Sequence, residues 1–229
     1  HDVAHEAAAR GARVVLVMPG VGNGAPVGND QVRVLTGMPR LVAAGELEIV
    51  ATSESYAVSA ETVVIGTGSR PWIPSSFAVD HDRVLDADSF ERAAGAERVA
   101  VVGAGRDGLH AATLLATTGV DVTIFDRRHR LLEECDSEMV DLVVEEIRRS
   151  GIRMRLGEEI FEAGPTVDGA VVVSAGADVE RFDRVVVAVG RTGNTDTLGL
   201  ETIGLETDER GRLWCDERFG TWVEGVRAV

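Results

Sequence analysis

Continuous apolar runs alternate with amphipathic stretches along most of the chain, and that alternation predicts strands interleaved with helices. Residues 2–9 are alanine-rich and read as a helix ending at Gly11, and residues 13–18 form an apolar run of strand length. Residues 20–30 hold four glycines and one proline and read as loop. Residues 32–35, 46–51 and 62–65 are short strands, the last running into Gly66, Thr67, Gly68 and Ser69 before Pro71 and Pro74 end regular structure. A polar connector, residues 77–94, leads to the apolar strand 98–102, a helix to Thr118 closed by Gly119, and the strand 121–125.

Asp136 reads as the N-cap of the next helix, in which Met139, Leu142, Val143 and Ile147 share one face, expected to pack on the sheet, before Gly151 ends it. Strand signals follow at 153–156, in a hairpin-like run at 170–174 after Asp168 and Gly169, and at 184–189, where Gly190 and Arg191 stop it. The tail from 194 to 229 is loop-rich, with two short strands at most. Repeats, long linkers and low-complexity tracts are missing, and the order of elements predicts an α/β fold.

One motif carries chemistry. Gly103-Ala104-Gly105-Arg106-Asp107-Gly108 matches the Gly-x-Gly-x-x-Gly dinucleotide pattern, follows an apolar strand, opens a helix, and precedes a second strand ending in Asp126, 18 residues past Gly108. Gly103 permits the tight turn, Gly105 lets backbone N–H groups approach a pyrophosphate at the positive helix end, and Gly108 lets helix and strand touch. Asp126 is placed to accept from the adenosine ribose hydroxyls, which favours NAD(H). Arg127, Arg128 and Arg130 form a basic cluster suited to a 2′-phosphate, so both cofactors stay open. Asp107 competes with the pyrophosphate for the same helix end, and Arg106 offsets it. The alternative is a structural glycine-rich turn followed by a surface acid.

Composition narrows the function further. With 45% apolar and 27% charged residues the chain has globular proportions, and no apolar run is long enough to span a membrane. Its 23 basic residues, all Arg, stand against 38 acidic ones, and the net charge of −15 opposes nucleic acid and anionic lipid. Cys135 and Cys215 lie 80 positions apart, which supports neither a redox pair nor a zinc site and fits cytosolic surroundings. No metal site is expected; His1 and His5 have ligand spacing without a third ligand. His110 reads as a surface or half-buried residue, with a place near a nicotinamide as the second reading. Cys135 reads as a buried small hydrophobe, and Trp72, Trp214 and Trp222 as core or interface residues.

Several stretches together resemble a known family. They are residues 64–71 (Val-Ile-Gly-Thr-Gly-Ser-Arg-Pro), the glycine motif with Asp126-Arg127-Arg128, residues 131–136 (Leu-Leu-Glu-Glu-Cys-Asp) and residues 189–196 (Val-Gly-Arg-Thr-Gly-Asn-Thr-Asp). The chain is similar to the pyridine nucleotide-disulfide oxidoreductases, flavoproteins with two dinucleotide-binding domains, and within them to the soluble transhydrogenases. The resemblance implies a Rossmann-like NAD(P)-binding domain, residues 93–191, inserted in a discontinuous, incomplete FAD-binding domain made of residues 1–92 and 192–229. It implies that Gly66, Thr67, Gly68 and Ser69 face FAD, that Gly190 lies near bound NAD(P), and that hydride passes between NAD(P)H, flavin and a second acceptor. A homodimer is implied for a full-length form.

The chain also departs from the family pattern. Met18 stands where an acid should hold the flavin ribose, the flavin-side lysine is missing, and His110 replaces a glutamate. The first glycine motif should precede residue 2, and the late Gly-Asp should follow Val229. Two expectations follow: part of a larger flavoprotein, or a degenerate, non-catalytic nicotinamide-nucleotide-binding module that has lost flavin.

Overall fold

The computed structural model describes residues 2–20, 27–28, 31–52, 54–133, 135–166, 171–175 and 178–229. His1, Glu134, Asp168 and Gly169 lie outside these, and with them the His1–His5 pairing and the turn expected at 168–169. The chain divides into two units, an inner one of residues 70–192 and an outer one made from residues 1–69 and 193–229.

The inner unit is built on a five-stranded sheet in the order Arg153–Leu156, Asp121–Asp126, Arg98–Val102, Arg184–Val187, Val84–Asp86. Every pairing is parallel. Val99, Ala100, Val101 and the run 185–187 are fully buried, which explains why these segments are apolar throughout: a central parallel strand is covered on both faces. The helix Arg106–Thr117 covers one face through Leu109, Ala111, Ala112 and Leu115. The other face is covered by an antiparallel sheet of Ile160–Pro165, Val171–Ala175 and Asp178–Phe182, and the Phe182 ring meets Phe125 edge-on at 5.9 Å. From Arg98–Val102 the chain first builds the sheet in one direction, then returns to add Arg184–Val187 on the other side. This reversal opens a crevice at the carboxyl ends of those strands.

Three expectations need correction here. The connector 77–94 is not merely polar loop: it contributes the edge strand Val84–Asp86 and the 3-10 turn Phe90–Ala93. That strand pairs with Arg184–Val187, and residues 70–92 cluster with the inner unit, within which the expected NAD(P)-binding span 93–191 lies. In the helix Ser137–Arg149 the buried positions are Val140 and Ile147, while Met139 and Leu142 are 63% and 66% exposed. Ile147 is buried as expected, but Val140 and Val144 share the core with it in place of Met139 and Leu142, because both sets satisfy helical spacing and only packing decides between them. Cys135 is exposed, so it is not a core hydrophobe.

In the outer unit, Val14–Met18 pairs in parallel with Val32–Thr36, against which Val27–Gly28 adds an antiparallel pair inside the expected loop. A meander of Met38–Ala43, Glu46–Val50 and Ser55–Ser59 follows, of which the first and third strands were not expected. Val63–Ile65 pairs in parallel with Val226–Ala228. Leu41, Val63, Ile65, Leu200 and Val226 form its core. Trp214 and Trp222 are not part of that core; they are exposed and stacked on each other at 6.5 Å. Among the described residues no helix is long and apolar enough to cross a membrane, and no cluster of three or more His, Cys, Asp or Glu could hold a metal ion.

Candidate functional site

The strand Arg98–Val102 delivers the chain to Gly103, whose φ of +110° is a conformation L side chains rarely adopt. A side chain there would also run into the backbone of Ala188, which is held close because its N–H donates to the Val102 carbonyl at 2.8 Å. Gly108, in the first turn of the helix, abuts the Gly103 carbonyl. Both glycines are therefore needed by close approach of backbone to backbone. Gly105, the helix N-cap, differs: nothing stands within 4 Å of where its Cβ would be. Beside that open side the first-turn N–H groups have no partner within the helix, and the helix dipole adds positive potential.

Asp126 ends the neighbouring strand with its side chain 5% exposed. Its Oδ2 accepts from the Ala104 N–H at 2.6 Å, tying the acid to the glycine turn. Arg128 folds back on it, donating from its backbone N–H and Nε to Oδ1 at 2.9 and 3.0 Å and from Nη2 to Oδ2 at 2.8 Å. Burial pushes the Asp126 carboxyl up, but the Arg128 and Ala104 hydrogen bonds outweigh it and hold the acid below the usual carboxylate range. Arg127, next to it, is exposed. The loop is pinned from the next strand end, where the N–H groups of Gly157 and Glu158 donate to the carbonyls of Arg128 and Asp126 at 2.9 and 3.0 Å.

Past the helix N-terminus lies a cavity of about 510 Å³ lined by Asp88, Phe90, Arg106, Asp107, His110 and Arg191. Arg191 donates to both oxygens of Asp88 at 2.8 and 3.2 Å and from Nη1 to Asp107 Oδ2 at 3.4 Å. Hydrogen bonding to Asp88 raises the Arg191 guanidinium, against the smaller effect of burial. His110 is exposed and meets the Phe90 ring edge-on at 5.7 Å. Asp88 and Phe90 were not singled out in the sequence, and Arg191 only as a strand stop beside Gly190 and as part of the stretch 189–196.

Of the other expected residues, Gly190 has φ +122° and accepts from the Trp72 N–H at 2.9 Å, two residues past the Ala188 that touches the glycine turn. Gly66, Thr67, Gly68 and Ser69 belong to the outer unit. There Asn194 Nδ2 donates to the Thr67 carbonyl and the Asn194 N–H to the Gly68 carbonyl, each at 3.0 Å. Gly68 has φ +67° with open space where its Cβ would be.

Comparison with known proteins decides the family. The model described as pyridine nucleotide-disulphide oxidoreductase matches residues 27–229. The chain belongs to this family. It is 34% identical over 184 residues to a soluble pyridine nucleotide transhydrogenase of Mycobacterium bovis, covering 80% of this chain and 39% of that protein. It is 37% identical over 179 residues to the one of Vibrio parahaemolyticus, covering 78% and 38%. Among solved structures, LpdA from Mycobacterium tuberculosis aligns with a TM-score of 0.78 at 23% identity, over 86% of this chain and 45% of that one. The HOCl-induced flavoprotein disulfide reductase RclA from Escherichia coli, as its Cu(II) complex, aligns at 0.76 and 21%, over 87% and 45%. The chain thus spans about two fifths of the length of these transhydrogenase relatives. The family's enzymes are oxidoreductases that depend on FAD and NAD(P). For the nicotinamide cofactor the inner unit fits: an open glycine at a helix N-terminus next to a buried acid is what a dinucleotide pyrophosphate and ribose need. For flavin the fit is partial. The turn at residues 66–69 is open at Gly68, but the strand Val14–Met18 ends in a thioether, which accepts hydrogen bonds only weakly.

Proposed function

We propose that the chain is part of an FAD-dependent pyridine nucleotide oxidoreductase of the transhydrogenase kind, moving hydride between NAD(P)H, flavin and a second acceptor, and that its inner unit binds the nicotinamide dinucleotide. The open face of Gly105 carries this reading. There a pyrophosphate meets the first-turn N–H groups without steric cost, over a turn whose other two glycines are locked by backbone contact. Asp126 is the ribose acceptor in this scheme, with Arg128 moving off it when a ribose or a 2′-phosphate arrives. Arg127 and Arg128 then select between NADH and NADPH. Gly190 borders the nicotinamide half. Gly66, Thr67, Gly68 and Ser69 are the outer unit's share of a flavin site.

Flavin, when bound, supplies the hydride relay between the two nicotinamides. With Met18 in place of an acid the residues of this chain do not complete its site, and the chain's own contribution is to bind and orient the dinucleotide. That same Met18 favours the second reading, a nicotinamide-binding module without flavin. In either reading the protein works in the cytosol with nicotinamide dinucleotides as its ligands, not nucleic acid or membrane, and in the first reading a full-length form is a homodimer. The test is a visible spectrum together with an NADH titration. The 229-residue chain, purified with added FAD, should be colourless and still bind NADH. Stoichiometric flavin absorbance would refute the argument from Met18; failure to bind NADH would refute the assignment of the inner unit.

A further inference from the structure

A helix N-terminus that receives a pyrophosphate gains from being free of other negative charge, yet here the second helical residue is Asp107. Its carboxylate is only 26% exposed and is held in place from two sides. Arg191 Nη1 lies 3.4 Å from its Oδ2, and Arg106 Nε lies 3.4 Å from its Oδ1. Arg191 is in turn fastened to Asp88 by two hydrogen bonds. Asp88, Arg191, Asp107 and Arg106 therefore form a chain of alternating charge along the rim of the cavity next to the glycine turn, and its net charge is zero before any ligand arrives.

We propose that Asp107 is a built-in competitor of the dinucleotide. Its carboxylate adds negative charge in the first turn and holds one edge of Arg191, and so weakens the positive field that a pyrophosphate dianion would otherwise meet. The inference rests on the reading that the inner unit binds a dinucleotide, and it adds a residue that sets how tightly. Binding requires Arg191 to exchange Asp107 for the ligand, and the ligand to tolerate a carboxylate close by. The acid also supports the fold, because a negative charge in the first turn stabilises the helix. Removing it should therefore move binding and stability in opposite directions.

The test uses Asp107→Asn, which keeps shape and hydrogen-bonding capacity while removing charge, with Asp107→Ala as a second variant and Asp107→Glu as the charge-retaining control. NADH affinity is measured by fluorescence titration, adenosine affinity by calorimetry as a probe without phosphate charge, and the urea midpoint reports stability. Asp107→Asn and Asp107→Ala should bind NADH about two- to fivefold more tightly than wild type, as expected for a charge acting at a helix terminus. Asp107→Glu should not gain, adenosine affinity should stay unchanged, and the urea midpoint should fall in the neutral variants. In high salt, near 1 M, the NADH gain should shrink, because screening then acts over about 3 Å. If wild type binds NADH and the neutral variants bind it no more tightly, the competitor role is wrong. An equal gain for uncharged adenosine would show that the carboxylate does not act through charge on the phosphates and also overturn it. If neither wild type nor variants bind NADH at millimolar concentration, the dinucleotide reading itself falls, and this inference with it.

Discussion

Gly108→Ala separates the structural demand of the glycine turn from its chemical one. A Cβ at this position would stand 3.0 Å from the Gly103 carbonyl carbon and closer still to its oxygen, with the Ala188 side chain at 3.4 Å on another side. The first obstacle is backbone at the end of a fully buried strand, so it cannot rotate away as a side chain would. Overpacking of this kind costs about 1–3 kcal/mol, and a backbone obstacle points to the upper end. Alanine recovers about 1 kcal/mol of helix propensity relative to glycine, leaving a net loss of about 2 kcal/mol. That is roughly a thirtyfold change in the ratio of folded to unfolded chain. Gly105→Ala is the control: its Cβ meets open space, and the loss should stay below about 1 kcal/mol, chiefly from the poorer N-cap. Urea denaturation followed by circular dichroism, with m-values compared to verify that only stability has changed, measures both. Equal stabilities for Gly108→Ala and Gly105→Ala would refute the claim that Gly108 is required by helix-to-strand contact.

Four further outcomes follow from the same geometry. Asp126→Ala leaves the Ala104 N–H and the Arg128 guanidinium without their acceptor and should cost about 2–3 kcal/mol in urea unfolding, less than a fully buried pair because Arg128 is 33% exposed and can rehydrate. Since folding holds Asp126 below its ordinary value of 3.8, its contribution is complete above that value and is lost as pH falls through the lower folded value. Acid titration of urea midpoints should therefore give a shallower loss in Asp126→Asn than in wild type, and parallel curves would contradict the direction of the shift. Replacing Arg127 and Arg128 together by Ala should weaken NADPH more than NADH in calorimetry, because only the 2′-phosphate loses a charge-assisted partner; parallel losses would assign both arginines to the surface field. In the helix Ser137–Arg149, Ile147→Ala should lower stability by about 2–5 kcal/mol while Leu142→Ala stays within about 0.5 kcal/mol, and thermal melts that reverse this order would contradict the packing.

What the sequence made legible was whatever local pattern determines. The runs ending at Val102 and Val187 are apolar without interruption because both faces are covered, and they could be read as central strands. The glycine turn was readable because its three glycines, the strand before it and the acid after the next strand stand at intervals set by geometry. Val84–Asp86 escaped because three residues are too few to show a period, and it is a strand only through its pairing with Val185–Val187. The face of the helix Ser137–Arg149 was misread in part because Met139, Leu142, Val143 and Ile147 repeat at helical spacing as well as Val140, Val144 and Ile147 do. Only the neighbouring helix Arg106–Thr117 and the sheet decide between them. In the site, Asp88 and Arg191 lie 103 positions apart, and nothing local to either announces the other. The capture of Asp126 by Arg128 was equally invisible: an acid two residues before an arginine reads as two ligand groups, and only the backbone turn makes them one pair.

The central claim is that the turn at residues 103–108, with its open Gly105, holds the pyrophosphate of a nicotinamide dinucleotide. A fluorescence titration of NADH against wild type and Gly105→Ala, both confirmed folded by circular dichroism, tests it most directly. The expected result is saturable binding at one site in wild type and a loss of at least about tenfold in Gly105→Ala, because the added methyl stands where the pyrophosphate must approach the backbone. Equal affinities in the two proteins, or no saturable binding in wild type, would contradict it.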